Sequence, residues 1–589
     1  MIKALFILGL FVAGTFAGLA IPQKESVNFS PEKFVKALQK FVHNDATKGI
    51  ACSVCTLAID GIRNMIENGK EDVEIEDWVI KVCKNYKIEQ DYVCEHIVRI
   101  FSDEIIYVLE RSLFTSGEIC GAFVSDCGVS ENPLNDEWPF EIPGNKPPVK
   151  PWPIVKNPKK TMRVLHLTDI HVDRDYAVGS EANCGHEKLI NTDYFCCRDY
   201  PSDRFEIKKK SDVEAGYWGS PYNCDIPLYT FINALEHISS TEKFDYIIVT
   251  GDLEAHDIFD YTRDKTTFNM KNLTSYLNEY FPNTPIYQTL GNHEGVPMDA
   301  VASRANMDPE DYAKRGPQWL YNSAADAWKR DLPSTTQQTI KRTGSYATKA
   351  FDKLKIVSIN TIYCSMFNMY NYLNQTDPDG TLAWLTNELV ESEANGEKVH
   401  IITHIPAGDD YCLKGYSFNF YKIVNRFENT ISAIFTGHTH NDHFEVFYDE
   451  ADDTKRPTNV IWIAPSLTTY SFSNPAYRVY TIDGDYDDSS FTVLEAQTYF
   501  TELEKHKTKA DKLDWKLEYT HTIDYAMPDL SPASFHDLIG RFVKSDALFG
   551  DFYFRYYRHQ NGKQYEKKAG LICDMKSARS YDKKNFCPV

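Results

Sequence analysis

Two kinds of apolar pattern divide the chain. Between residues 48 and 130, apolar side chains recur at spacings of three and four, which predicts amphipathic helices. One of these series comprises Cys55, Ile59, Ile62 and Ile66. From residue 162 onward the pattern changes to short apolar runs separated by helical and loop sequence, and these runs predict strands covered on both faces. The candidate strands are 162–167, 246–250, 286–290, 354–359, 400–403 and 433–436.

These patterns predict several domains, because a chain of 589 residues is too long for one ordinary core. Eight prolines between residues 133 and 158 predict a stiff linker, since proline lacks the amide donor and favours extended chain. The last part, rich in Tyr, Phe and Lys, predicts a helical C-terminal region. The expected divisions are a helical domain at 48–131, a linker at 132–160, a strand-rich domain at 161–498 and helices at 499–589.

The N-terminus and the cysteines predict export from the cytoplasm. Lys3 followed by an apolar stretch indicates a signal peptide at 1–20, and this stretch is short for a membrane anchor. No later segment is long and apolar enough for a transmembrane helix. The 14 cysteines form an even number and predict disulfides, with Cys573 and Cys587 expected to close the C-terminal region. A secreted or lysosomal protein is expected, and its candidate glycosylation sites are Asn28, Asn272 and Asn374.

Net charge narrows the choice of partners. The formal charge of -21 would repel a nucleic-acid backbone, so no nucleic-acid partner is expected.

Polar residues with metal-binding side chains follow five of the candidate strands. They are Asp169, His171, Asp252, Asn292, His404, His438 and His440. In α/β sheets, sites form beyond the carboxyl ends of strands, so these residues predict one shared site. Carboxylate, imidazole and amide ligands suit Zn, Mn or Fe, and two such ions ~3.5–4 Å apart would polarise a phosphoryl group. Any one of these residues alone is better explained as part of a turn or a helix cap; the five motifs together are not.

The motifs match a known family. Asp169-X-His171, Gly251-Asp252, Gly291-Asn292-His293-Glu294, His404 and Gly437-His438-X-His440 resemble those of the calcineurin-like metallophosphoesterases. This resemblance implies an α+β fold with a four-layer double β-sandwich. It also implies that Asp169, His171, Asp252 and His440 hold one metal ion. Asp252, Asn292, His404 and His438 would hold the other, with Asp252 as the bridge.

Ala255 favours two zinc ions over an iron–zinc pair. Purple acid phosphatases are similar in these motifs, but they place a Tyr three residues after the bridging Asp, where this chain has Ala255. The tyrosinate that marks a ferric site is therefore missing, and two Zn²⁺ per chain are expected.

The N-terminal cysteines resemble those of the saposin family, whose helical domains bind lipid. The resemblance implies a saposin-like domain with the pairs Cys52–Cys127, Cys55–Cys120 and Cys83–Cys94. The alternative is an unrelated disulfide-linked helical bundle.

The whole domain order resembles that of the acid sphingomyelinase family. This resemblance implies hydrolysis of a membrane sphingolipid, sphingomyelin, to ceramide and phosphocholine by a monomer that touches the membrane peripherally. It also implies the pairs Cys184–Cys196, Cys197–Cys224, Cys364–Cys412 and Cys573–Cys587. The alkoxide leaving group needs a proton, and His293 is the expected donor. His256 is expected to assist it; the alternative is a histidine that only supports the metal ligands.

Two other functions stay open. One is a related phosphodiesterase that acts on nucleotides or other soluble phosphoesters, although such relatives lack the saposin-like segment. The other is a lipid-binding protein with an inactive enzyme domain, which the complete ligand set disfavours.

Overall fold

The computed structural model describes residues 33, 48–86, 88–124, 127, 138–184, 195–201, 213–450, 456–559, 568–583 and 587. The predicted signal peptide, Asn28 and the first part of the predicted linker lie outside these residues.

Within the described part of the N-terminal segment there are four helices, as the spacing of apolar residues predicts. They are α1 (Lys48–Glu67), α2 (Asp72–Asn85), α3 (Asp91–Arg111) and α4 (Ser116–Phe123). The last helix begins at a capping box, in which the Thr115 hydroxyl accepts from the Glu118 amide and the Glu118 carboxylate accepts from the Thr115 amide. Their apolar stripes, including Ile59 and Ile62 of α1, are fully buried.

Two six-stranded mixed sheets form the larger part of the molecule. The first has the order β14-β13-β12-β1-β4-β5 and the second β10-β11-β9-β8-β7-β6; β2 and β3 pair separately. The strands are β1 (Thr161–Leu167), β2 (Val172–Asp173), β3 (Ile226–Pro227), β4 (Tyr246–Val249), β5 (Ile286–Gln288), β6 (Tyr346–Phe351), β7 (Leu354–Ser358), β8 (Lys398–Ile402), β9 (Ile431–Thr436), β10 (His443–Tyr448), β11 (Pro457–Ile463), β12 (Ala476–Asp483), β13 (Val493–Phe500) and β14 (Lys516–Thr520).

The two sheets face one another across a common core. The ring of Phe435 on β9 lies 4.8 Å from that of Tyr480 on β12, and Tyr246 on β4 bonds to His400 on β8 at 2.7 Å. The parallel pairs β1–β4–β5 and β7–β8–β9 bring the carboxyl ends of their strands to the same edge of each sheet. The five strands that precede the predicted ligands therefore end in one region.

Helices cover the sheets and fill the connections between strands. They are α5 (Leu228–Thr241), α6 (Arg263–Tyr280), α7 (Pro309–Arg315), α8 (Gln318–Ala327), α9 (Gln337–Thr343), α10 (Thr381–Asn395), α11 (Lys414–Arg426), α12 (His521–Asp524), α13 (Pro532–Lys544), α14 (Asp546–Tyr556) and α15 (Lys568–Ser577). Helix α10 packs on β7 and β8, and α13 packs on β11. None of the helices among the described residues is long and apolar enough to cross a bilayer.

The expected boundary at residues 498 and 499 is wrong as a division between sheet and helices. It falls inside β13, and β14 beyond it completes the first sheet. The linker packs against the sheet-containing part from residue 138 onward. Trp138 is buried in the main core, and the Pro148 carbonyl accepts a hydrogen bond from Asn429.

The N-terminal helices share an apolar core with the sheet-containing part, and we call this contact the seam. Helix α3 supplies residues such as Phe101 and Tyr107, and the other side supplies residues such as Tyr261, Met298 and Tyr370. Ser112 donates to the Tyr372 carbonyl at 2.8 Å, and Arg315 pairs with Asp103 at 2.9 Å.

A cavity of about 210 Å³ lies on this seam. Its lining includes Ile100, Glu104, Tyr261, Arg263 and Tyr370.

All 14 cysteines are paired. The disulfides are Cys52–Cys127, Cys55–Cys120, Cys83–Cys94, Cys184–Cys196, Cys197–Cys224, Cys364–Cys412 and Cys573–Cys587, the same pairs that the family resemblances imply. Three of them lie within the N-terminal helical segment, whose own core is thin for its length.

Candidate metal centre

The seven predicted ligands lie on loops that leave the carboxyl ends of the strands. Those after β1, β4 and β5 come from the first sheet, and those after β8 and β9 come from the second. Five of the seven have a left-handed backbone: Asp169, His171, Asp252, His438 and His440, with φ between 40° and 73°. Such conformations are costly for residues other than glycine and concentrate at functional sites. The turns that they form bring ligand atoms from separate loops to within 4.8 Å of one another in two groups.

One group of ligand atoms gathers around Asp169 and Asp252. The Nε2 atom of His171 lies 3.4 Å from Asp252 Oδ2, and that of His440 lies 3.4 Å from Asp169 Oδ1. Each of these four residues offers a ligand atom within 4.8 Å of the others. Both carboxylates are buried, so the group is shielded from bulk solvent.

A second group gathers on the other side of Asp252. His404 Nε2 lies 3.1 Å from Asp252 Oδ2 and 2.9 Å from Asn292 Oδ1. His438 Nδ1 lies 3.0 Å from the same Asn292 oxygen. Asp252 is common to both groups, so its carboxylate is placed to bridge two ions.

Backbone carbonyls fix the orientation of three ligand imidazoles. Nδ1 of His171 lies 2.5 Å from the Glu254 carbonyl, Nδ1 of His404 lies 2.6 Å from that of Thr250, and Nδ1 of His440 bonds to that of Tyr470. A carbonyl oxygen only accepts, so each Nδ1 carries the proton and each Nε2 keeps its lone pair for a metal.

Glycines allow the loops to approach closely. A Cβ on Gly291 would overlap with the Asp252 carboxylate, and one on Gly437 would overlap with Thr168 and lie 2.5 Å from Asp169 Oδ2. Glu294 fastens two of these loops, because its carboxylate accepts from the amides of Gly291 and Asp252 at 2.6 and 3.0 Å.

The Asp252 carboxylate favours positive charge on the two imidazoles nearest to it. Burial alone would lower the pKa of His171 and of His404, but the Asp252 carboxylate outweighs it and raises each to about 9. Burial would raise the pKa of Asp252, yet the surrounding imidazoles hold it well below its usual value. In addition, His171 Nε2 is buried with no hydrogen-bond partner among the described residues. A carboxylate-centred site with an unpartnered imidazole nitrogen fits divalent cations bound by nitrogen and oxygen.

His293 is buried beside these ligands. Its amide donates to Asp252 Oδ1 at 2.9 Å, and its Nδ1 lies 2.6 Å from the Tyr261 hydroxyl. Tyr261 donates its own proton to the Ala255 carbonyl, so it accepts from His293 Nδ1. Nε2 of His293 is therefore the atom left for proton exchange.

His256 faces the same centre, with its ring 3.9 Å from that of His171 and 4.5 Å from that of His293. Its Nδ1 lies 2.9 Å from the buried Asp225 carboxylate, which also accepts from the His256 amide at 2.8 Å. Thr468 donates to the same carboxylate at 2.6 Å. Asp225 and Tyr261 were not among the sequence-predicted residues, because neither follows a strand in a metal-type motif.

The structure thus brings together all nine predicted metal ligands and proton-transfer residues. Asn272 and Asn374, the described candidate glycosylation sites, lie elsewhere, on α6 and on the loop before α10. Asn374 is exposed, whereas Asn272 is partly buried and accepts from Arg174 at 2.8 Å.

Fold and site together define a calcineurin-like phosphoesterase. The family model described as calcineurin-like phosphoesterase matches residues 162–442, and a second, described as acid sphingomyelin phosphodiesterase C-terminal region, matches 456–580.

Similar proteins extend the match to nearly the whole chain. Sphingomyelin phosphodiesterase 2 of Caenorhabditis elegans is 46% identical over 94% of this chain and 91% of its own. Sphingomyelin phosphodiesterase of Homo sapiens is 35% identical over 86% of this chain and 78% of its own. A cyclic GMP-AMP phosphodiesterase of Bos taurus is 28% identical over 67% of this chain and 82% of its own. The chain belongs to the sphingomyelin phosphodiesterase family.

Proposed function

We propose that this protein hydrolyses sphingomyelin to ceramide and phosphocholine at a centre of two zinc ions. One observation carries the proposal: Asp252 is shared by two groups of ligand atoms, in a chain that aligns along 94% of its length with a sphingomyelin phosphodiesterase. The proposal includes a secreted or lysosomal monomer, a saposin-like N-terminal segment and a four-layer arrangement of helices and sheets.

Each of the seven predicted ligands has a stated role in binding the metal ions. Bound divalent ions would polarise the phosphoryl oxygens and activate a water molecule. Asp169, His171 and His440 would hold one ion, Asn292, His404 and His438 would hold the other, and Asp252 would contribute to both. Because the imidazoles are fixed by carbonyls and the carboxylates are buried, the substrate phosphate meets a preorganised site.

Two histidines serve the leaving group and the phosphate. The ceramide alkoxide is a poor leaving group, so it needs a proton as the bond to phosphorus breaks. His293 donates through Nδ1 to Tyr261, so its Nε2 can deliver that proton when the ring enters the reaction as an imidazolium with both nitrogens protonated. His256 is held through Nδ1 by Asp225, which leaves its Nε2 to donate a hydrogen bond to the phosphate when it carries a proton.

The N-terminal helices suit a lipid substrate. Sphingomyelin lies in a bilayer with its scissile bond at the interface, so a soluble enzyme must reach or loosen it. The helices pack directly beside the centre, because Tyr261 belongs both to the seam and to the hydrogen bond with His293. Exposed apolar residues such as Val73 and Leu113 lie on this segment, 53% and 65% exposed.

The direct test is turnover of sphingomyelin liposomes by purified protein, with added zinc or with chelator, from acidic to neutral pH. We expect zinc-dependent release of phosphocholine. Asn292→Ala removes a ligand and should abolish turnover, whereas Asn322→Ala, at an exposed position on α8, should retain it. Unchanged turnover by Asn292→Ala would overturn the proposed metal centre, and no turnover by the unsubstituted protein would leave a lipid-binding role.

A soluble phosphodiester is the second candidate substrate. The cyclic GMP-AMP phosphodiesterase that matches this chain supports it, but that match leaves a third of the chain unaligned. Comparing kcat/KM for sphingomyelin in detergent micelles with that for a cyclic dinucleotide separates the two. Faster turnover of the dinucleotide would favour the second candidate.

A further inference from the structure

We propose that Arg558 is a positioning residue for the metal ligand His440, so that the C-terminal region completes the metal centre. This inference rests on the proposed function. Arg558 follows α14, far in sequence from every predicted ligand, and its side chain is completely buried.

The guanidinium of Arg558 holds three acceptors at once. It donates through Nη1 to the His440 carbonyl, through Nε to the Asn474 carbonyl and through Nη2 to the Ser466 hydroxyl at 3.0 Å. Asn474 returns a hydrogen bond from its side-chain amide to the Arg558 carbonyl at 2.9 Å. A planar group with donors in fixed directions is suited to tie three loops together, which the single ammonium of lysine cannot do equally.

These bonds fix His440 from both sides. Its carbonyl accepts from Arg558 and from the Ser466 amide at 3.3 Å. Its ring Nδ1 bonds to the Tyr470 carbonyl, four residues along the segment that Ser466 begins. The same segment binds the first ligand loop, because the Thr468 amide donates to the Asp169 carbonyl at 2.9 Å. A shift of this segment would therefore move His440 Nε2 relative to Asp169.

The C-terminal region holds this loop at a second point. Asp442, two residues after His440, accepts from the Tyr519 hydroxyl at 2.8 Å and pairs with the buried Arg478. The Asp442 amide donates to the Tyr556 carbonyl at 3.3 Å. Residues 440–442 are thus held between strand β14 and the end of α14.

The cost of burying Arg558 supports a specific role. Among the described residues, no carboxylate forms an ion pair with it, and its three acceptors are neutral. Burial disfavours the charge of its guanidinium, and the more distant charges of Glu518, Asp442 and Asp169 offset this only in part. A buried charge without a paired carboxylate is destabilising, so a merely structural position would be better filled by an apolar side chain.

The test compares Arg558→Met and Arg558→Lys with Arg163→Met. Arg163 is a partly buried arginine on β1 that bonds to Glu242 and Gln497, and it controls for lost stability. The first readout is zinc retained against a competing chelator in the absence of substrate. We expect Arg558→Met to lose zinc about 10- to 100-fold more readily than Arg163→Met, with Arg558→Lys between them.

The second readout is kinetic, with a water-soluble phosphodiester. The kcat of Arg558→Met should fall by a similar factor at limiting zinc and recover in part with excess zinc, because the damage is to metal binding. If Arg558→Met does not fold, Ser466→Ala removes one acceptor and should still weaken zinc retention relative to wild type. Equal zinc retention by Arg558→Lys, Ser466→Ala and wild type would overturn the inference, whatever the substrate proves to be.

Discussion

At the scale of single residues, the centre depends on acceptors as well as on ligands. Three ligand imidazoles are oriented by backbone carbonyls, and the two histidines proposed for the leaving group and the phosphate are oriented by Asp225 and Tyr261. Each acceptor selects the tautomer of its partner and so decides which nitrogen faces the substrate or the metal.

Asp225→Asn tests this dependence. The asparagine side chain is similar in shape to aspartate, but it is neutral and no longer stabilises the protonated His256 ring. We therefore expect kcat to fall by roughly 10²-fold. The measurement is steady-state turnover of a soluble phosphodiester. Asp483→Asn is the control, because Asp483 is equally buried but accepts from Ser490, at the opposite end of its sheet from the centre. If both variants lose activity in proportion to their melting temperatures, Asp225 has no role beyond stability.

Gly437→Ala tests the close approach of two loops. The new methyl group would overlap with Thr168 and displace Asp169, so zinc content and activity should both be lost. Gly540→Ala on α13 is the matched control, since nothing lies within 4 Å of the added carbon. That helix substitution should stabilise the fold by about 0.5–1 kcal/mol. Zinc analysis and thermal unfolding of the two purified variants give the comparison; full zinc in Gly437→Ala would contradict it.

The sequence singles out nine residues as predicted ligands or proton-transfer groups, because each stands in a motif next to a strand, and the structure places them close together. Asp225, Tyr261 and Arg558 could not be found in this way. Each acts through contacts between separate parts of the chain, and an isolated aspartate, tyrosine or arginine has no local sequence pattern that predicts such contacts.

At the scale of elements, helix α3 is the closest link between the N-terminal segment and the rest. Glu104 lies in its middle, buried, and accepts from the Met369 amide at 3.1 Å. Its other oxygen has no partner among the described residues. Burial, then the charges of Asp299 and Asp103, raises the pKa of Glu104 well above its usual value, and the Met369 amide opposes this.

Glu104→Gln should therefore change stability with pH. A raised folded-state pKa means that the contribution of Glu104 is fully present below its unfolded pKa of about 4.3 and is lost as pH rises through the folded pKa. The glutamine can still accept from Met369 but carries no charge. We expect the variant to gain melting temperature over wild type at neutral pH and to match it in acid.

Thermal unfolding at several pH values gives the measurement, and Glu67→Gln, at the exposed end of α1, gives the control. A difference between Glu104→Gln and wild type that does not change with pH would contradict the assignment. The other titratable groups that line the cavity beside Glu104 are unchanged in all three proteins, so they do not contribute to the difference in melting temperature. They include Arg263, Arg315, Tyr261 and Tyr370.

The sequence predicts the elements near the site better than those far from it. The six candidate strands all exist, because fully buried runs such as 246–249 are apolar throughout. Strands β10 to β14 were not predicted, since residues such as Glu445 and Arg478 interrupt their apolar pattern. Those polar residues are buried in the structure, and Arg478 pairs with Asp442.

At the scale of the whole molecule, the N-terminal helices are attached to the enzyme through a shared apolar core. Proline-rich linkers suggest independent domains, but the seam buries residues of both parts and adds hydrogen bonds and ion pairs at its edges. The sequence could not predict this contact, since apolar residues on a helix face do not reveal what covers them.

Removing residues 48–130 should therefore separate two activities. Turnover of sphingomyelin in liposomes should fall by about tenfold or more relative to turnover of a soluble phosphodiester, equivalent to about 1.4 kcal/mol of lost surface binding. The ratio of the two rates on one preparation is the measurement, because the fraction of folded protein cancels. An unchanged ratio would mean that the helices only stabilise the enzyme.

The left-handed backbone of five ligands has a consequence for how long each molecule survives. Such conformations cost on the order of 1–3 kcal/mol each, and bound metal offsets that cost by stabilising only the folded state. Bound metal would then also protect the protein from proteolysis, because a molecule that loses its ions unfolds locally more often and is cleaved sooner. The half-life of the protein in a protease digest should shorten when a chelator is added and lengthen again with zinc, so the supply of metal would set the amount of enzyme as well as its rate.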